Sequence, residues 1–202
     1  IEGLGKASGF CGSWDNFTSR LSIEGTGLDA EKIYRAFVWS ILEESDTNRS
    51  FMYLYDQGKT GKSVTARVLQ NFLGTGENGC STTFDFTSYK SHETELLIGK
   101  RLIVQNESWA KKLVSNGLLK AVTGGDTIMI NPKNKPTMSV FVRAKVMVIS
   151  NEKPVVGMSK AELSRLLPIT VDEMKEEDYS ATFEEDLKNE LPVFLTKCKK
   201  DY

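Results

Sequence analysis

A chain of 202 residues suits one domain with at most a small appendage, and buries roughly 70% of its unfolded surface. Its 26 Lys and Arg face 27 Asp and Glu, a net charge of -1, which excludes a global basic field; any nucleic acid must be met by local positive charge in a groove or channel. Cys11, Cys80 and Cys198 lack C-x-x-C spacing and His92 is the only histidine, so disulfide frameworks, zinc sites and Ser-His-Asp catalysis have little to build on.

In chain order, residues 1–27 carry six of the 16 glycines and read as a loosely ordered entry. A short helix is predicted there at "SWDNFTSRL", with Trp14, Phe17 and Leu21 on one face. The spacing of Ile33, Phe37, Ile41 and Leu42 predicts an amphipathic helix over 28–45, capped by Asp29. "SFMYLY" (50–55) reads as a short apolar strand running into "DQGKTGKS". Helical period resumes in "SVTARVLQNFLG" and closes at Gly74. Strand, loop, helix is the context a phosphate-binding loop requires.

His92 in "SHETELL" reads as a solvated helix residue. "KRLIVQNE" (100–107) and "AKVMVISNE" (144–152) are apolar on successive residues, as strands buried on both faces are. Strands separated by helical segments predict an α/β fold with a mostly parallel central sheet and helices on both sides. The acidic run at 172–178 reads as a solvated segment. No apolar run reaches the ~18 residues of a membrane span and no signal peptide is visible, so no membrane partner is expected. The unpaired thiols suit a reducing, cytoplasmic setting. The opening at Ile1, without methionine, reads as the start of a piece excised from something longer.

Three strand ends carry chemistry. "DQGKTGKS" nearly spells G-x-x-x-x-G-K-[ST], with Asp56 where the first glycine stands. Backbone N–H groups across Gly58, Lys59, Thr60, Gly61, Lys62, Ser63 and Val64 at a helix start can surround phosphate oxygens. Lys62 would neutralise the β- and γ-phosphates of ATP, and Ser63 would ligate Mg²⁺. Lys59 is placed to offset the Asp56 charge. Glu107 follows a buried strand, where ligands of open α/β sheets lie; its carboxylate can polarise the attacking water, directly or through the metal's water shell. Asn106 stands where many ATPases carry a second acid, so metal ligation rests on Ser63 and Glu107. Asn151 ends another strand, where a neutral amide can orient both γ-phosphate and water. Each residue taken alone also reads as an ordinary turn or strand-end residue.

"GKTGKS", "LLIGKRLIVQNES", "LLKAVTGGDTIMINPKNKP" and "FVRAKVMVISNEKP", in that order, resemble superfamily 3 helicases. They look most like the primase-helicase proteins of phages, plasmids, mobile islands and large DNA viruses. The similarity runs from Tyr53 to about Ile169, with a weaker echo at "NELPVFLTKCKK". It implies a three-layer AAA+-type ATPase with a β-hairpin insertion, assembling as a homo-hexameric ring around single-stranded or forked DNA. The hairpin would be "DTIMINPKNKPTMSVFVR", with Lys133 and Lys135 at a tip that points into the channel. Six copies would form a positive collar despite the neutral total charge. The resemblance also implies an arginine given to the neighbour's γ-phosphate, here Arg165 in "SRLLPI", with Lys120 a lesser candidate for reaching across. An upstream primase half is implied as well.

The domain reading is therefore 1–46, a helical and irregular segment; 47–171, the ATPase core; and 172–202, an acidic and helical segment. The leading functional expectation is an ATP-driven DNA helicase of a replicating element. The alternative is a ring that binds ATP to clamp or melt DNA as an initiator, with little turnover. A genome-packaging or RNA helicase ATPase is more remote.

Overall fold

The computed structural model describes residues 9–43, 46–106, 116–154, 164–178 and 180–202. Along the chain they form α1 (Gly12–Ser19), β1 (Leu21–Ser22), α2 (Ala30–Ser40), β2 (Phe51–Tyr55), α3 (Lys62–Leu73), β3 (Ser81–Thr83), a 3-10 helix (Ser91–Leu97) and β4 (Leu102–Asn106). Then come α4 (Gly117–Gly124), β5 (Thr127–Ile130), β6 (Met138–Phe141), β7 (Lys145–Ser150), β8 (Leu166–Val171), a turn of 3-10 helix (Glu176–Asp178) and α5 (Phe183–Asp201).

Six strands form one sheet in the order β1-β8-β2-β7-β4-β3. Every pairing is parallel except the two-residue edge β1, which runs antiparallel to β8. The sheet is covered on both faces, which explains why its central strands β2 and β7 are apolar on successive residues. Met52 and Leu54 of β2 point with Met147, Ile149 and Ile169 into a core built on α1, α2, α3 and α5. Phe51, Tyr53 and Tyr55 point the other way, with Ile103 and Val148, onto α4 and the inner face of the hairpin. A mostly parallel α/β sheet is thus the fold, as expected from the alternation of apolar runs and helical stretches.

Two predicted helices are shorter than their hydrophobic pattern. Asp29 does cap α2, its carboxylate accepting the Lys32 N–H at 3.0 Å, but the helix ends at Ser40, with Ile41 and Leu42 in a following turn. Leu21 lies beyond α1, in β1. From Gly12 onward the described part of the glycine-rich entry packs against the rest of the chain. Trp14 is fully buried and stacks on Phe194 of α5, ring centroids 4.2 Å apart and 8° from parallel. Its indole N–H donates to the Leu187 carbonyl at 2.8 Å. Residues of all three sequence segments therefore share one apolar cluster.

Cys11 and Cys198 are buried and Cys80 is half-buried, all as free thiols. Burial pushes the Cys11 thiol up, and pushes Cys198 well above the ordinary thiol range. Because the thiolate is the reactive form, iodoacetamide at pH 8 is expected to label Cys80 alone in the folded chain. The other two should become reactive only with unfolding, which peptide mass mapping across a urea series checks.

Candidate functional site

β2 is buried along its whole length and delivers Asp56 to the centre of the sheet's carboxyl end. The following loop needs left-handed backbone at Gly58 (φ 112), Lys59 (φ 57) and Gly61 (φ 88), conformations that glycine adopts without a Cβ clash. Gly61 has a second constraint. A Cβ there would meet Phe183 at 3.2 Å and Met174 at 3.3 Å. α3 then starts at Lys62, so the loop ends on a helix N-terminus.

Asp56 organises this loop. Its carboxylate accepts the Gly58 N–H, the Thr60 hydroxyl and the Lys62 ammonium, the last at 2.5 Å. Lys62 Nζ also donates to Asn151 Oδ1 at 3.0 Å. The Asp56 and Lys62 side chains are only 3% and 6% exposed. The cation in direct contact with Asp56 is thus Lys62. Asn151 arrives because β7 is the parallel neighbour of β2, with Tyr55 paired to Ser150. Two of the three predicted strand ends therefore meet through Lys62.

The loop is braced from outside. Arg20 Nη1 donates to the carbonyls of Thr60 (3.1 Å) and Asp172 (2.8 Å), and the Met174 N–H donates to the Lys59 carbonyl at 3.4 Å. Sequence reasoning missed these partners, which lie 40 and more residues away from the loop they hold. Met174 is buried within the acidic run, and its apolar side chain was the one visible signal.

Clefts open on both sides of the loop. One of about 350 Å³ lies between α3 and the ends of β4 and β7, lined by Ser63, Arg67, Asn106 and Asn151 among others. The other, of about 650 Å³, is bordered by Asp56, Thr60, Asn151, Lys153 and Asp172. Asn151 borders both. Lys153 pairs with Glu24 at the rim; that hydrogen bond holds the Glu24 carboxyl below its usual range, while burial pushes the Tyr55 hydroxyl up. A third cleft of about 500 Å³, near Arg49, Arg101 and Arg143, holds no predicted site residue.

Other predicted residues lie elsewhere. Glu107 falls outside the described residues. Asn106, just before it, pairs with Ile149, so the end of β4 reaches the end of β7. Arg165 precedes β8, with its carbonyl accepting the Phe51 N–H at 2.8 Å and its guanidinium donating to the Lys120 carbonyl at 3.1 Å. Because β8 runs parallel to β2, Arg165 is at the opposite end of the sheet from the loop. Lys133 and Lys135 are exposed in the turn joining β5 to β6, with Lys135 Nζ 3.1 Å from Glu95. Among the described residues no three His, Cys, Asp or Glu side chains cluster as a metal site. A magnesium ion held by one hydroxyl and by phosphate oxygens needs no such cluster. No described helix is long and apolar enough to cross a membrane.

A model described as a family of unknown function (DUF5906) matches residues 54–165, or 112 of the 202 (165 − 54 + 1). The chain belongs to the DUF5906 family. The DUF5906 match runs from the end of β2 to the foot of β8, and so contains the loop, Asn151, the hairpin and Arg165. Three apo structures of the NrS-1 C terminal region share the fold, with TM-scores of 0.74, 0.74 and 0.71 at 15%, 15% and 16% identity. Each comparison covers 96% of this chain, which spans just under half (46–47%) of the NrS-1 chains.

Proposed function

We propose that this DUF5906 chain binds and hydrolyses ATP as a superfamily 3, AAA+-type domain, and that its rings translocate on and unwind DNA. One observation carries the reading: Lys62, at the start of α3, donates to Asn151 at the end of the neighbouring strand. A lysine at a helix N-terminus and a strand-end amide 89 residues away are the pair that a triphosphate on this loop would use.

The groups fit their proposed work. The loop from Gly58 to Val64 presents backbone around the phosphates, and Lys62 balances charge on the β- and γ-groups. Ser63 is exposed to the 350 Å³ cleft, and with Glu107 would hold the metal; magnesium supplies charge neutralisation of the phosphates. Glu107 polarises the attacking water, and Asn151 orients it against the γ-phosphate. Arg165 is a full strand length, roughly 16 Å for five residues, from its own loop. That distance keeps it from its own phosphates, so its proposed target is the γ-phosphate of a neighbouring subunit in a homo-hexamer. Lys133 and Lys135 on the hairpin turn meet the DNA backbone.

The test is a calorimetric titration of Mg-ATP into Asp56→Asn and into Lys62→Ala/Asp56→Asn, two variants that differ only in the loop lysine and leave no buried carboxylate alone. Binding by the former and about 100-fold weaker binding by the latter is expected; equal affinity would overturn the reading. The clamp reading draws on the Asp56–Lys62 pair, which already engages the loop lysine. Light scattering that shows ATP-dependent assembly near six times 22.6 kDa, without turnover above a Glu107→Gln control, would favour it.

A further inference from the structure

We infer that Asp56 is a built-in competitor for the phosphate-binding lysine, a positioning residue that sets how tightly the loop holds a nucleoside triphosphate. This rests on the nucleotide-binding reading above. The carboxylate sits inside the loop and takes three of its donors: the Gly58 N–H, the Thr60 hydroxyl and the Lys62 ammonium. A loop N–H and a lysine ammonium are the kinds of donor that a phosphate oxygen recruits. An anion of the chain itself therefore draws on what a ligand anion needs.

The two partners differ in freedom. Asp56 is fixed at the end of a fully buried strand, its N–H on the Ser150 carbonyl at 3.4 Å and its side chain 3% exposed. Lys62 has a flexible four-carbon stem and a second acceptor in Asn151, on the side of the clefts. When a triphosphate arrives, Lys62 is the group that turns. Asp56 keeps the Gly58 and Thr60 hydrogen bonds, which hold the carboxylate in place after the ammonium has left. It also remains a negative charge beside the phosphates, in a site sheltered from solvent. The repulsion grows with the ligand's charge, whereas the cost of drawing Lys62 from Asp56 is the same for any anion that needs the ammonium; neither acts on a base or ribose. A magnesium complex, carrying less net charge, is penalised less than the free nucleotide.

The experiment compares wild type with Asp56→Asn, in which the amide oxygen still accepts the Gly58 N–H. Asp56→Gly, which restores the usual residue, serves as a second variant. Melting curves establish that each is folded. Mg-ATP and magnesium tripolyphosphate are titrated calorimetrically, the latter also by competition. About tenfold or greater tightening is expected for both probes in both variants. Unchanged or weaker Mg-ATP binding in folded variants, beside clear wild-type binding, would overturn the inference and leave the nucleotide reading standing. Tightening of Mg-ATP without tripolyphosphate would place the effect at the base and overturn it too. Failure of every protein to bind Mg-ATP would overturn the nucleotide reading itself, leaving Asp56 and Lys62 an ordinary buried pair.

Discussion

Replacing Lys62 by alanine is expected to destabilise the fold by about 3 kcal/mol, and adding Asp56→Asn is expected to restore most of that loss. The reason is asymmetric. The pair is almost wholly buried, so deleting the ammonium leaves a carboxylate without its counter-charge in a poorly solvated place. The Gly58 and Thr60 donors still satisfy part of it, which sets the expectation at the low end of the range for broken buried pairs. The double variant removes both charges and with them the penalty. Urea unfolding of the four proteins of the cycle, with the slope checked for constancy, measures the coupling directly. A loss under about 1 kcal/mol in Lys62→Ala, or a double variant no better than the single, would mean that the pair is worth no more than a surface one.

The second large effect lies far from the loop. Trp14→Ala is expected to cost about 3–5 kcal/mol, the range for emptying a buried aromatic site. The indole loses its stack on Phe194 and its hydrogen bond to the Leu187 carbonyl. The contact joins the first helix to the last. Its loss should therefore expose both ends of the chain together, seen as coincident loss of hydrogen-exchange protection in α1 and α5. Protection lost in α1 alone would show that α5 docks without it.

Local signals explain what was legible. β2, β4 and β7 announced themselves because both of their faces are covered, so each carries successive apolar residues, in β4 the three from Leu102 to Val104 before the buried Gln105. The loop was legible because Gly61, Lys62 and Ser63 are adjacent in sequence. β8 was not legible. Pro168 sits in its middle, a residue that normally argues against a strand. It is tolerated because the outer neighbour β1 reaches only Thr170 and Val171. β3, of three residues, is too short to show a period. The role of Asp56 was hidden for another reason. Sequence position marked it as a departure from the glycine pattern, but only the fold of the loop reveals that its carboxylate faces inward and meets Thr60 and Lys62. Arg20 and Met174 belong to the same class: their contacts are long-range, and no local pattern encodes them.

The turn of the hairpin is tethered to the body of the same chain, through Asn131 Nδ2 on Ser91 Oγ at 2.7 Å and through Lys135 on Glu95. Both links are exposed, and a solvated ion pair is worth at most about 1 kcal/mol. A polyanion can therefore prise Lys135 loose at almost no cost, whereas drawing Lys62 from Asp56 means breaking a sheltered contact. The molecule thus has a soft catch at its tip and a stiff one at its centre, and rising ionic strength should release the first well before it touches the second.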